Sequence, residues 1–186
     1  MTTTFDFSYF PTLETERLIL RRITPKDVAD VFAIRADYQA TKLNIGAPYT
    51  TVEQAGSLIH RMQDNFMEGS ELRWGVTQRG SDRVIGMIGF NYWVQADRRA
   101  AVGFDLNRQY WGQGIMSEAL IAVVGFGFES MGLNRIEADC SIMNVASQRV
   151  LEKAGFKIEG RQREHYYLDG VYYDLLLWGL LRSDME

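Results

Sequence analysis

The sequence predicts an α/β fold of the α+β kind, a mixed and mostly antiparallel central sheet of six to seven strands flanked by about four helices. Three observations predict it. Strand-like runs cluster at 72–78, 84–94 and 99–106 with short turns at 80–82 and 95–97 between them, the pattern of an antiparallel meander. Two segments with apolar residues at helical spacing precede that meander and two follow it. The last strand of the meander then runs into a helix through Gly112-Gln113-Gly114. With 186 residues, of which 46% are hydrophobic, the chain suits one domain with one sizeable core rather than two domains.

Taken in order, residues 1–13 read as a loose arm, and 17–23 as a first strand with Leu18 and Leu20 facing one way. Thr24-Pro25 opens a helix with threonine as N-cap and proline at the first helical position, and Val28, Val31 and Phe32 form its buried stripe. The segment 42–49, with Gly46 and Pro48, reads as a loop. Thr51 and Gln54 have capping-box spacing, and Ala55, Leu58, Ile59, Met62 and Phe66 keep helical register to about residue 68. Met62, Phe66 and Met67 suit core better than a substrate pocket. Run 84–94 is apolar on both faces and so predicts a central strand. After the helix that starts near Ser117, Gly132 suits a C-terminal cap, and 135–141 reads as a strand. Ile136, Ala138 and Cys140 share one face of it, with Glu137 and Asp139 on the other. Asn144 is an N-cap for the helix 145–154, which stops at Gly155. The tail is a hairpin around Asp169-Gly170, a pair that favours a type I′ turn. Its last strand contains Leu175-Leu-Leu-Trp178, so it must pack against the fold or meet a second copy in a homodimer.

Composition narrows the function classes. A net charge of −4 without a long lysine or arginine run argues against nucleic acid and is compatible with a cationic or amine substrate. One cysteine, Cys140, excludes an intramolecular disulfide and a multi-cysteine metal site, and His60 and His165 have no spaced partner. No metal is expected. No apolar stretch approaches membrane-spanning length and no signal-peptide pattern opens the sequence, which predicts a cytoplasmic protein without a membrane partner.

The chemistry is expected where strand meets helix. Gly112 and Gly114 can adopt backbone angles denied to other residues and leave room for a ligand. The N–H groups of 113–116 have no partner within the helix and sit at its positive end, a geometry suited to phosphate. The bare pattern fits a tight turn without ligand as well. Its context is more specific. Gln109-Tyr-Trp-Gly112-Gln-Gly114, after a strand and opening a helix, resembles the acetyl-CoA pyrophosphate-binding motif of the GNAT N-acetyltransferases. Asn144-Val-Ala-Ser147 and Val150-Leu-Glu-Lys-Ala-Gly155-Phe156 are similar to that family's second motif block. Gln113-Gly-Ile-Met-Ser117, the Asp169-Gly170 segment and the opening Thr15-Glu-Arg-Leu-Ile-Leu-Arg21 look most like the branch that acetylates N-termini of ribosomal proteins, on alanine or serine.

The resemblance implies a cytoplasmic GNAT domain that moves acetyl from acetyl-CoA to a primary amine by direct attack, with a protein N-terminal amine as acceptor. It implies that backbone groups of Phe104 and Leu106 hold the pantetheine arm. Gln109, Gln113, Gly114, Ile115 and Met116 would bind the pyrophosphate turn, with Asn144 and Ser147 facing the sulfur end. Glu137 aligns with the family's catalytic glutamate, and a solvated strand carboxylate is the other reading of it. Leu151 stands where many relatives have a tyrosine acid, which leaves Ser147, Tyr166, Tyr167 or water to protonate the thiolate. Tyr166 and Tyr167 would line the acceptor mouth, although such tyrosines also suit an ordinary strand. Cys140 faces apolar neighbours and reads as a buried structural cysteine. A small amine such as a polyamine, amino acid or antibiotic is the alternative acceptor, and a non-catalytic CoA sensor the alternative function.

Overall fold

A computed structural model describes residues 5–44 and 46–185. In chain order its elements are β1 (Leu13–Glu14), β2 (Leu18–Arg22), α1 (Val28–Arg35), α2 (Tyr38–Thr41), α3 (Val52–Met67), β3 (Leu72–Gln78), β4 (Gly86–Val94) and β5 (Arg99–Leu106). Then come α4 (Ile115–Glu129), β6 (Arg135–Ser141), α5 (Val145–Lys153), β7 (Lys157–Leu168) and β8 (Val171–Leu181). The strands form one sheet of 8, ordered β1-β2-β3-β4-β5-β6-β8-β7. β5 and β6 pair in parallel, and their neighbours pair antiparallel.

The sheet has one strand more than expected at one margin, and a different order at the other. β1 adds a short strand where the segment read as loose ends, and β8 lies between β6 and β7. This placement buries the apolar final strand within one chain: Leu176, Trp178 and Leu180 join the core under α4 and α5, and Leu175 is buried as well. The exposed edge passes to β7, whose Lys157, Glu159, Arg161 and Arg163 are of the charged kind that discourages edge pairing. Asp169 and Gly170 have φ of 51° and 81°, both positive as a type I′ turn requires.

Two apolar clusters fill the two faces of the sheet. One, under α1 and α3, gathers Val31, Ile34, Leu58, Ile59, Met62 and Met87. The larger one lies under α4 and α5. Met67, expected in the core, instead points to solvent at the end of α3.

The described part of the N-terminal arm is not loose. Phe5 is 6% exposed and packs edge-on to Phe126 at 5.5 Å between ring centroids. Phe10 lies against Phe66 at 5.0 Å, and the Trp74 indole donates to the Pro11 carbonyl at 2.8 Å. Alternation in so short a stretch is a weak burial signal; the aromatic side chains pack on Phe66, Trp74 and Phe126 from α3, β3 and α4. Farther along, Thr15 and Arg17 bind the Glu118 carboxylate on α4 at 2.5 to 2.9 Å, which ties the arm to the helix that opens the site. Phe5→Ala is accordingly expected to cost about 3 kcal/mol of unfolding free energy, as for other buried aromatic truncations. Urea denaturation measures this, and a cost below about 0.5 kcal/mol, in the range of ordinary surface changes, would show the arm lies outside the core.

Candidate active site

The site begins where a pair of strands comes apart. β5 and β6 are in register at Arg99, Ala100 and Ala101 and unpaired beyond. On its other edge β5 stays zipped to β4 as far as Leu106, and the Asn107 N–H donates to the Ile85 carbonyl at 2.9 Å. Since alternate residues of a strand turn their backbone groups to opposite edges, Phe104 and Leu106 direct theirs into the gap. Two side chains already use that edge: Asn44 donates to the Phe104 carbonyl at 3.3 Å, and the Trp111 indole to the Leu106 carbonyl at 2.9 Å.

Two cavities meet at this gap, and both touch Asn44 and Phe104. The first, of about 300 Å³, runs between the start of α4 and α5. Gly112 and Gly114, at φ of 75° and 74°, turn the chain into α4. A Cβ at Gly112 would meet nothing, so the approach to the helix N-terminus is open. Leu106, Gly114, Ile115, Met116 and Ser147 line this cavity together with Tyr110, Trp111, Arg149 and Lys153. Among the expected cofactor residues, Gln109 and Gln113 are exposed on the outside of the turn, where the Gln113 side chain donates to the Gln109 carbonyl at 3.0 Å. Asn144 is buried behind the cavity. Its side chain accepts from the Ser147 N–H at 3.1 Å and donates to Asn44 at 2.9 Å.

The second cavity, of about 250 Å³, is polar and lies on the α1 side of the splayed strands. Arg35, Arg73, Asn91, Asp105, Asp139 and Tyr166 face it. Arg35 pairs with Asp105 at 3.1 Å, and Asn44 donates to the same carboxylate at 2.9 Å. Tyr38 on α2 donates to Asp169 at the hairpin tip, so the two walls of the cavity touch at their ends. Tyr167 is 65% exposed and packs on Tyr172 outside the cavity. Cys140 contributes to the floor, but burial pushes its thiol up to about 11, which removes it as a thiolate nucleophile at neutral pH.

The carboxylates of β6 differ sharply. Glu137 lies at the closed end, in register with Ala101, and faces neither cavity. Arg135 donates to it at 2.8 Å, Arg99 at 3.1 Å and the Tyr92 hydroxyl at 2.6 Å. Burial works to raise its pKa, but those bonds and the two guanidinium charges outweigh burial and the net shift is downward. Asp139, two residues on, reaches water through the open side of the second cavity. Burial by the surrounding protein raises its pKa, offset only in part by the Tyr166 hydroxyl at 3.5 Å and by His165. Sequence reasoning placed both on one face and could not separate them. It missed Asn44, Arg35, Arg73 and Asp105, whose local patterns carry no signal. Arg149 and Lys153, one helical turn apart on α5 and following Ser147, could have been found from spacing alone.

The two shifts have opposite consequences for stability. A carboxyl whose folded pKa is raised favours the folded state below its unfolded value and penalises it as pH rises through the folded one. Asp139→Asn is therefore expected to raise the melting temperature at pH 7, with the gain vanishing toward pH 3. The reverse holds for Glu137, whose stabilisation is present at neutral pH and lost as pH falls through its lowered value, so Glu137→Gln lowers the melting temperature at pH 7. Thermal melts of both variants across that range check the signs.

Comparison with known proteins agrees with this geometry. Residues 17–157 match the model of the acetyltransferase (GNAT) domain. The chain is 37% identical over 173 residues to an uncharacterized N-acetyltransferase, YoaA, of Bacillus subtilis, covering 93% of this chain and 98% of that protein. It is 32% identical over 130 residues, 70% of each chain, to the putative ribosomal N-acetyltransferase YdaF of the same organism. Among solved structures, a RimL ribosomal L7/L12 alpha-N-protein acetyltransferase in complex with coenzyme A has the same fold, with a TM-score of 0.79 at 20% identity over 92% of this chain and 98% of that one.

Proposed function

The chain belongs to the GNAT acetyltransferase family and is an acyltransferase, and from that premise we propose that it transfers acetyl from acetyl-CoA to a protein N-terminal α-amine, with Asp139 as the general base. The observation that carries the reading is the pair of cavities meeting at the free edge of β5. One has the donors and shape for a pyrophosphate and a thin pantetheine arm. The other has an unpaired carboxylate for an ammonium group.

In this reading the N–H groups at the start of α4 bind the pyrophosphate, helped by the dipole of a 15-residue helix and by Arg149 and Lys153 at the rim. The arm then lies along β5, where the Phe104 and Leu106 amides face the gap and polarise the thioester carbonyl. The acceptor enters from the Tyr166 side as an ammonium. Asp139 takes its proton, the neutral nitrogen attacks the carbonyl carbon, and the carbon–sulfur bond breaks. As that bond breaks the new amide nitrogen gives up its second proton, which passes to the thiolate through Ser147, lining the CoA-side cavity, or through water. Leu151 is only 1% exposed and belongs to the core, so it contributes packing and no proton.

Two points favour an α-amine over a lysine side chain. An α-amino group has a pKa of about 8 against about 10.4 for lysine, closer to what a carboxylate with a raised pKa can deprotonate. The likeness to a putative ribosomal N-acetyltransferase supports the same choice. Glu137 acts in this scheme by holding the closed end of the strand pair.

The test is thiol release from acetyl-CoA with alanine- and serine-initiated peptides, polyamines and aminoglycosides as acceptors. Peptide turnover is expected, with kcat reduced about 10²-fold or more in Asp139→Asn and little changed KM for acetyl-CoA. Glu137→Gln is expected to change kcat by less than about tenfold, since no atom of it reaches either cavity. Turnover confined to polyamines or aminoglycosides would replace the peptide reading, and a larger loss in Glu137→Gln than in Asp139→Asn would exchange the roles of the two carboxylates.

A further inference from the structure

Unused hydrogen-bond donors collect on one side of the second cavity. Arg35 meets Asp105 with one nitrogen, Nη1, at 3.1 and 3.2 Å from the two carboxylate oxygens, while its buried Nε has no partner among the described residues. Arg73 gives Nη2 to the side-chain carbonyl of Asn91. Its Nε lies 2.9 Å from Glu71 but out of line for a hydrogen bond, so that buried donor is unused as well. Glu71 stands off the cavity, where Asn65 donates to it at 2.7 Å. The sheet sets Arg73 and Asn91 at this wall. Arg73, Gly89 and Gly103 are partners in one row across β3, β4 and β5, and the two glycines leave that row with no other side chain. Asn91 is the extra residue of a bulge between Phe90 and Tyr92, and its amide lies over Gly103, where any Cβ would collide with it. A guanidinium only donates, so these groups are satisfied by an acceptor from a ligand, and a carboxylate offers two oxygens at once.

Resting on the acetyl-transfer reading above, we infer that this cavity holds a carboxylate subsite, formed by Arg35, Arg73 and Asn91, for acceptor amines that also bear a carboxylate. Asp139 and Tyr166 come from β6 and β7, across the splay from β3, β4 and β5. One cavity of about 250 Å³ thus offers an anion on one wall and donors on the other. Its charged lining is Arg35, Arg73, Asp105 and Asp139. Once the acceptor's ammonium has matched Asp139, two guanidinium groups stand against one lining carboxylate, and an anionic group on the same ligand restores the balance. In a peptide acceptor that group is an acidic side chain at the second residue. In a free amino acid it is the α-carboxylate. Either one presents the same two oxygens to the same donors, whereas an amide of equal shape presents one oxygen and no charge. Hydrogen bonds to a charged acceptor are roughly twice as strong as neutral ones, which for this exchange amounts to about tenfold or more in affinity.

Ala-Glu-amide and Ala-Gln-amide isolate the effect, since they share the α-amine and the shape of both side chains. Calorimetric titration of the full chain with saturating CoA reads their binding without turnover. Ala-Glu-amide is expected to bind at least about tenfold more tightly. In Arg73→Gln the two are expected to bind within about threefold of each other. Asn91→Asp is expected to remove the preference too, because it supplies Arg73 with a carboxylate from the chain itself, and it does so at an exposed bulge position where the fold tolerates the change. L-Alanine against L-alaninamide identifies the source: a preference in that pair assigns the subsite to an α-carboxylate, and one in the dipeptide pair to a side chain. Equal binding within both pairs overturns the inference, as does a preference that survives either substitution, or failure of all four ligands to bind at millimolar concentration. Thiol release from acetyl-CoA, measured in parallel, separates the subsite from the function. Turnover of both dipeptides without a charge preference sinks the subsite alone, whereas a binding preference with no turnover on any amine sinks acetyl transfer and leaves the subsite standing.

Discussion

The rest of the molecule depends on an interruption of hydrogen bonding between β5 and β6. Parallel strands that stayed paired would satisfy every backbone group in the gap and leave nothing for a ligand. Here pairing ends at Ala101, and the wedge that stands in its place is polar. The short turn that includes Asn44 reaches between the strands. The Asn44 side chain takes the Phe104 carbonyl and one oxygen of Asp105, and accepts from Asn144 at the start of α5. Arg35 from α1 holds the same aspartate. Groups exposed by the splay thus find partners from three separate elements, while the buried Nε of Arg35 has none.

The closed end is fastened in a different way. Glu137 with Arg99, Arg135 and Tyr92, and Arg135 in turn with Glu159 at 2.9 Å, form a network over the last paired residues of β6 and across to β7. Mutual pairing holds Glu137 ionised, which makes it a good fastening and a poor proton acceptor. Moving two residues along the same strand face removes the guanidinium groups and substitutes a cavity. The carboxylate found there, Asp139, is destabilised as an anion by its surroundings. A difference of one strand pitch therefore separates a carboxylate held by arginines from one facing the cavity, and the physical variable is the presence or absence of an arginine partner.

Much of this was legible in the amino-acid order because it is local. The meander, the hairpin with its Asp169-Gly170 turn, the caps at Thr51 and Asn144, and the glycines that open α4 all follow from residue types at fixed short spacings. The family resemblance rested on the same local signals. So did the placement of Ile115, Met116 and Ser147 on one cavity, since the start of a helix and the start of the next one each announce themselves. Alternation along 135–141 likewise set Glu137 and Asp139 on one face, apart from Ile136, Ala138 and Cys140.

Tertiary structure decided whatever depends on partners distant in the chain. Arg135 lies two residues from Glu137 on the same strand face, so that contact was legible in spacing; the second arginine, Arg99, lies on another strand, and the register of a parallel pair leaves no local trace. Nor could the sequence alone show that Phe5 and Phe10 pack into the core, that β8 inserts between β6 and β7, or that Asn44, Arg35 and Arg73 converge on the gap. Local spacing determined the elements and the glycine turn that opens α4, since backbone angles and N-terminal N–H groups depend on a few consecutive residues. Which carboxylate is paired with arginine and which faces the cavity was set only by the fold, since a pKa and a net local charge are sums over neighbours that the chain brings together from far apart.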